Sequence, residues 1–188
     1  MKKKKSLSIV VVIVLAIVVL AGAAYLLLVR KGSGPIAVPL DELRTEGEYR
    51  FKGLEWGTAL TDVQEALPYK LTKNESIGSS GEYIEYSTDV SFELGGSTAA
   101  AVFEFQGDSL NLVKFDFHPG EDYEEWFDAR VQELTGLYGE ADDEMESSFE
   151  RFSSKGYMWF AEETILQIML ITGGDGEPFA MLGVGKRP

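Results

Sequence analysis

Hydrophobic and polar positions change rhythm several times along this chain. From Ser6 to Val29 there is no alternation: 24 residues carry no charge, and sixteen are Leu, Ile or Val. A helix of that length rises roughly 36 Å at about 1.5 Å per residue, enough to cross a ~30 Å hydrocarbon core. Residues 6–29 therefore predict a transmembrane signal anchor behind a basic tip, residues 1–5, that holds Lys2 to Lys5. Ala21-Gly22-Ala23-Ala24 resembles a small-residue cleavage site, but the apolar run continues to Val29 and outlasts a usual signal-peptide core. An uncleaved anchor is the expectation. Lys2 to Lys5 outweigh Arg30 and Lys31, which places a single-pass protein in the cell membrane with a cytoplasmic N-terminus and an extracytoplasmic remainder.

Residues 30–48, opening on Lys31-Gly32-Ser33-Gly34-Pro35, read as a linker, with an extended approach or a brief helix after Pro39. From 49 to 188 the rhythm alternates between strand and helix periods. Tyr49, Phe51 and Leu54 suit an extended segment, and Gly57 permits a sharp turn. Thr58 or Thr61 can cap a short helix whose stripe is Leu60, Val63, Ala66 and Leu67, with Pro68 as its stop. Strand-like runs follow at Glu82–Ser87, Val90–Leu94, Ala100–Phe105 and Leu110–Phe117, with Gln106-Gly107-Asp108-Ser109 as a hairpin turn. Glu121 to about Leu137 is the strongest helix pattern, with Tyr123, Trp126, Phe127, Val131 and Leu134 at helical spacing and Gly139 behind it. Four more strand runs complete the chain at Phe149–Ser153, Tyr157–Glu162, Ile165–Thr172 and Phe179–Val184, the last two joined by a turn at Gly173-Gly174-Asp175-Gly176.

The expected fold is thus α+β: an N-terminal transmembrane helix, then an antiparallel-sheet domain with two helices. Helix plus four strands occurs twice, so halves at 49–118 and 119–188 are open to reading as a tandem pseudo-repeat. Trp56 and Trp126 are expected in the core.

Composition narrows the function. The chain has no cysteine, which excludes a disulfide framework, a thiolate nucleophile and a Cys-ligated zinc. All 31 acids lie beyond Lys31, against eleven Lys and Arg there, a formal charge of about −20. Such a surface repels phosphate backbones, so nucleic-acid binding is disfavoured. His118 is the lone histidine, and no G-x-S-x-G elbow accompanies it. Glu121-Asp122 and Glu124-Glu125 suit a helix N-terminus better than a catalytic pair. The densest acidic run, 140–146 (Glu140, Asp142, Asp143, Glu144, Glu146), lacks the EF-hand spacing and reads as a solvated loop, with weak Ca²⁺ binding as the sharper alternative. No Walker loop or dinucleotide fingerprint is present. No catalytic, cofactor-binding or metal-ligating residue is assigned, and no cofactor.

The corner Phe51-Lys-Gly-Leu-Glu-Trp56-Gly57-Thr58, followed by Val63 and Leu67, resembles an F-x-G-x-x-W-G-T/S opening of small exported bacterial domains of unassigned function. Leu134, Tyr138-Gly139, Trp159 and Ile165 resemble the second half of that pattern. The helix-then-strands layout is similar to the outer-membrane assembly lipoprotein BamE and to β-lactamase inhibitor protein, and that resemblance implies protein–protein binding. The chain lacks the lipobox cysteine of such lipoproteins. Together these readings favour a non-enzymatic, membrane-anchored interaction or sensing domain of the bacterial cell envelope, its partners the membrane through residues 6–29 and another envelope protein. The alternatives are a small carboxylate hydrolase and a binder of a small apolar or lipid ligand.

Overall fold

The structure, a computed structural model, describes residues 34–74, 83–149, 151–173 and 177–187. Residues from Pro35 onward form one compact unit. Its strands are β1 (Ile36–Ala37), β2 (Arg44–Thr45), β3 (Glu48–Tyr49), β4 (Leu71–Lys73), β5 (Tyr83–Leu94), β6 (Ser97–Gln106), β7 (Ser109–Phe117), β8 (Asp143–Phe149), β9 (Phe152–Phe160), β10 (Thr164–Gly173) and β11 (Phe179–Lys186). Two α-helices interrupt them, α1 (Leu60–Ala66) and α2 (Tyr123–Tyr138).

One nine-stranded sheet runs β1-β5-β6-β7-β11-β10-β9-β8, with β4 also on β5. The two runs of strands each fold as a meander, and their last members, β7 and β11, pair antiparallel from Leu112↔Gly185 to Phe117↔Ala180. The tight connections have local causes. Glu46 (φ 55°) and Gly47 (φ 89°) both take positive φ between β2 and β3, the backbone of a type I′ hairpin turn.

Alternation gives the sheet one apolar face. Phe92, Ala101, Phe103, Phe115, Leu166, Ile168, Leu182 and Val184 are all buried there. Val63 of α1, Phe127 and Leu134 of α2, and the N-terminal residues Val38, Leu40, Leu43, Tyr49 and Phe51 cover them in a single cluster. Phe51 stands edge-on to Phe92, Phe103 and Phe115 at 5.3–5.9 Å between ring centres.

Several expectations are corrected. The α+β assignment gives way to a mostly β fold, because strands take in 52% of the described residues and helices 21%. The single-pass transmembrane anchor, and with it the cell-membrane location and extracytoplasmic placement, is not upheld: no helix among the described residues is long and apolar enough to cross a membrane, and residues 6–29 lie outside them. The turn residues 174–176 also lie outside the described residues. The runs expected at Glu82–Ser87 and Val90–Leu94 fall on one strand, β5, from Tyr83 onward, whose register shifts between Ser87 and Ser91; Glu82 lies outside the described residues. Within 30–48, a short 3-10 turn (Leu40–Leu43) buries Leu40 and Leu43. Neither Thr58 nor Thr61 caps α1. Gly57 N–H donates to the Leu110 carbonyl (2.8 Å) and Leu110 N–H to that of Thr58 (2.9 Å), which keeps the chain extended to Ala59. Leu60 N–H then donates to the Asp108 carbonyl (3.1 Å) in the β6–β7 turn. Trp56 and Trp126 are half-buried at the core margin, their indole N–H groups on the Tyr49 carbonyl and Ser97 Oγ (2.8 Å each). Trp159 is the tryptophan inside the core.

Phe51 is 0% exposed, so Phe51→Ala should lower unfolding free energy by about 3–5 kcal/mol in urea denaturation. A loss under about 1 kcal/mol would remove Phe51 from the centre of this core.

Candidate functional site

The second face of the sheet has a different make-up. Residues out of phase with the core line up in rows across the strands. One row runs Met145 (β8), Gly156 (β9), Met169 (β10), Met181 (β11) and Asp116 (β7). The next runs Asp143, Met158, Gln167, Gly183 and Lys114. A third holds Phe160, Ile165, Gly185 and Leu112. All four methionines after Met1 therefore share this face. Each is half-buried. The buried side chains of α1 and α2 all belong to the core cluster, so no described helix packs over the second face.

Glycines shape this surface. A Cβ on Gly183 would meet the Gln167 side chain at 2.9 Å, and one on Gly185 would meet Leu112 Cδ1 at 2.7 Å. Neighbouring side chains lie across the missing ones. At the same face's end the Arg187 guanidinium sits 4.4 Å over the Phe160 ring.

Beside the methionines lies a charged group. Lys114 Nζ donates to Glu85 Oε1 and to Glu104 Oε2 (3.4 Å), and Asn111 Nδ2 donates to Glu104 Oε1 (3.4 Å). Burial alone would pull the Lys114 ammonium down, but its hydrogen bonds and charge contacts with Glu85 and Glu104 hold it raised. Burial also pushes Asp116 above the ordinary carboxylate range; Lys114 opposes that rise, Glu85 adds to it, and His118 opposes it. Two carboxylates and one ammonium are thus spent on one another, which suits a fixed structural cluster better than proton transfer.

The other acidic positions do not converge. Residues 143–149 form β8 rather than a loop, so Asp143 and Met145 share one face while Glu144 and Glu146 fall on the other. Asp142 Oδ2 accepts from Phe160 N–H (2.7 Å) and Asp143 Oδ1 from Glu144 N–H (2.9 Å). Among the described residues no group of His, Cys, Asp and Glu is placed to hold a metal ion. His118 is exposed just past β7. A core cavity lined by Leu40, Leu94, Phe117, Trp126, Arg130, Leu134, Ile168 and Leu182 measures about 10 Å³, room for one water and none for a lipid chain.

No protein-family model matches the chain, and no curated protein matches it. A solved structure, a DUF4309 family protein (YjgB) from Bacillus subtilis subsp. subtilis str. 168, is similar at 13% identity and a TM-score of 0.43, over 76% of this chain and 89% of that one. That family is a small domain of unassigned function, and a likeness of this degree carries no argument about activity.

Two outcomes follow from the charges. Millimolar Ca²⁺ should leave the melting temperature unchanged, since the acids of 140–146 are split between faces; a rise of several degrees would contradict that. Asp116, its pKa raised on folding, binds its proton more tightly in the folded chain, so it costs stability as pH climbs above about 4. Asp116→Asn should accordingly melt higher than wild type at pH 7 and equal to it near pH 3.5. Equal melting at both pH values would refute the burial argument.

Proposed function

We propose that this domain is a non-catalytic binding module that takes another protein on the second face of its sheet. One observation carries the reading: four methionines, with Leu112, Ile165 and Phe160, occupy a sheet face over which no described helix packs. A sheet with one side on a core ordinarily turns polar residues to the other side. Ile165 is already buried, but the half-buried methionines, Leu112 and Phe160 gain free energy when a partner removes them from water. Methionine suits such a role, because an unbranched and polarisable side chain repacks against different surfaces. The charged cluster around Lys114 marks the side of the patch toward β5 and adds polar contacts at its margin.

The hydrolase reading gains less support. Glu85 and Glu104 are engaged by Lys114, and the cleft that does gather carboxylates, Glu121, Asp122, Glu124 and Glu125 around the start of α2, leaves all four exposed to water, where they suit the helix N-terminus. Similarity of layout to BamE and β-lactamase inhibitor protein points toward protein binding only as an analogy.

The test uses the full chain in its native cells, crosslinked and analysed by mass spectrometry beside a Met158→Glu/Met169→Glu variant. A partner captured by wild type should fall at least tenfold with the variant, while circular dichroism and melting show the variant folded. Capture of the same partner by the folded variant at wild-type level would refute this face as the binding surface.

A further inference from the structure

We propose that Met145, Met158 and Met169 form a binding site for a soft monovalent metal ion, Cu(I), above Gly156. Pairing puts Gly156 directly between Met145 on β8 and Met169 on β10. Met158 lies two residues further along β9, on the same face. Three methionines thus flank a position that has no side chain. A Cβ built on Gly156 would meet the Ile168 carbonyl oxygen at 3.0 Å and lie 3.7 Å from Met169 Cβ, so Met169 borders this buried position directly. Strands about 4.8 Å apart set the flanking methionines roughly 10 Å apart at their Cα atoms, and three rotatable bonds in each let the sulfurs approach from either side.

The donor set selects the ion. Thioether sulfur is soft and neutral, so it favours Cu(I) over Mg²⁺, Ca²⁺ or Zn²⁺, which prefer oxygen, imidazole or thiolate. The chain has no cysteine to compete for the ion, and its one histidine, His118, lies beyond β7, two strands from β10. Asp143 pairs with Met158 across β8 and β9 on this face and supplies negative charge beside the sulfurs. The chain's formal charge of −14 draws cations toward it generally. Met181, beyond Met169 in the same row, is separated from Gly156 by a strand and lies outside the site.

The full chain would be titrated with Cu(I) under ascorbate, in competition with a chromogenic Cu(I) chelator. Ag(I) serves as a redox-inert probe followed by ¹³C-methyl NMR of methionine. One equivalent should bind, and the methyl signals of Met145, Met158 and Met169 should shift. Met158→Leu and Met169→Leu keep the apolar volume, so each should retain the wild-type melting temperature while weakening Cu(I) binding tenfold or more. Met181→Leu should stay within about twofold of wild type, and millimolar Zn²⁺ should not compete. Absence of saturable binding would overturn the proposal. So would equal affinity in a folded Met145→Leu/Met158→Leu/Met169→Leu variant, or a loss with Met181→Leu as large as with Met158→Leu. None of these readouts needs a protein partner, so the metal site and the binding face stand or fall separately.

Discussion

The antiparallel pairing of β7 with β11 turns two meanders into one sheet, and most of the architecture follows from it. Phe117↔Ala180, Phe115↔Leu182 and Val113↔Val184 join the core residues of both runs into one apolar surface. A period of two then dictates that Asp116, Lys114, Met181 and Gly183 come together on the reverse side. A slip of one residue in this pairing would put Lys114 against the core and Phe115 into the open. Burying a charge in exchange for a phenyl ring is expensive enough to fix the register.

With the register fixed, the distribution of helices explains the division of labour between faces. Residues Val38 to Phe51, α1 and α2 supply one covering layer, and all of it lies on the aromatic side. α2 is tied there by polar contacts as well as apolar ones. Trp126 Nε1 donates to Ser97 Oγ, Arg130 to the Gly95 carbonyl, and Lys155 Nζ to Asp128 Oδ1 (2.9 Å). Its C-terminus is closed by Gly139 at φ 89°, whose carbonyl also accepts from Trp159 Nε1 (2.8 Å). The core tryptophan therefore locks the helix end to β9. What α2 covers is settled at several points, and the methionine side receives no described helix.

Local signals in the sequence were enough for the parts of the fold whose causes are local. The hairpin around Gly107-Asp108, the helix from Tyr123 to Tyr138 and its glycine stop all announce themselves within a few residues. Other features depend on distant partners. Leu60 is met by Asp108, and Tyr49 N–H by Thr164 Oγ1 (2.8 Å), itself bonded to Glu48 Oε2 (2.6 Å); neither contact leaves a mark in the neighbouring sequence. Acidic residues 143–146 look like a loop, yet pairing with β9 makes them an edge strand, where such charges discourage further strand addition. The methionine face was hidden for a different reason. In Ile165-Leu-Gln-Ile-Met-Leu-Ile171 nearly every position is apolar, so alternation cannot say which side is in. Only the register shows that Met169 and Leu170 part company.

Whether the methionines lie open to solvent in the free protein decides the account. The direct measurement is ¹³C-methyl NMR of selectively labelled full-length protein with a soluble paramagnetic agent. Met145, Met158, Met169 and Met181 methyls should relax much faster with the agent present, while methyls of Leu166 and Leu182 from the opposite face stay protected. Methionine methyls as protected as those leucines would mean that the face is already covered, and the binding surface described for it would not exist.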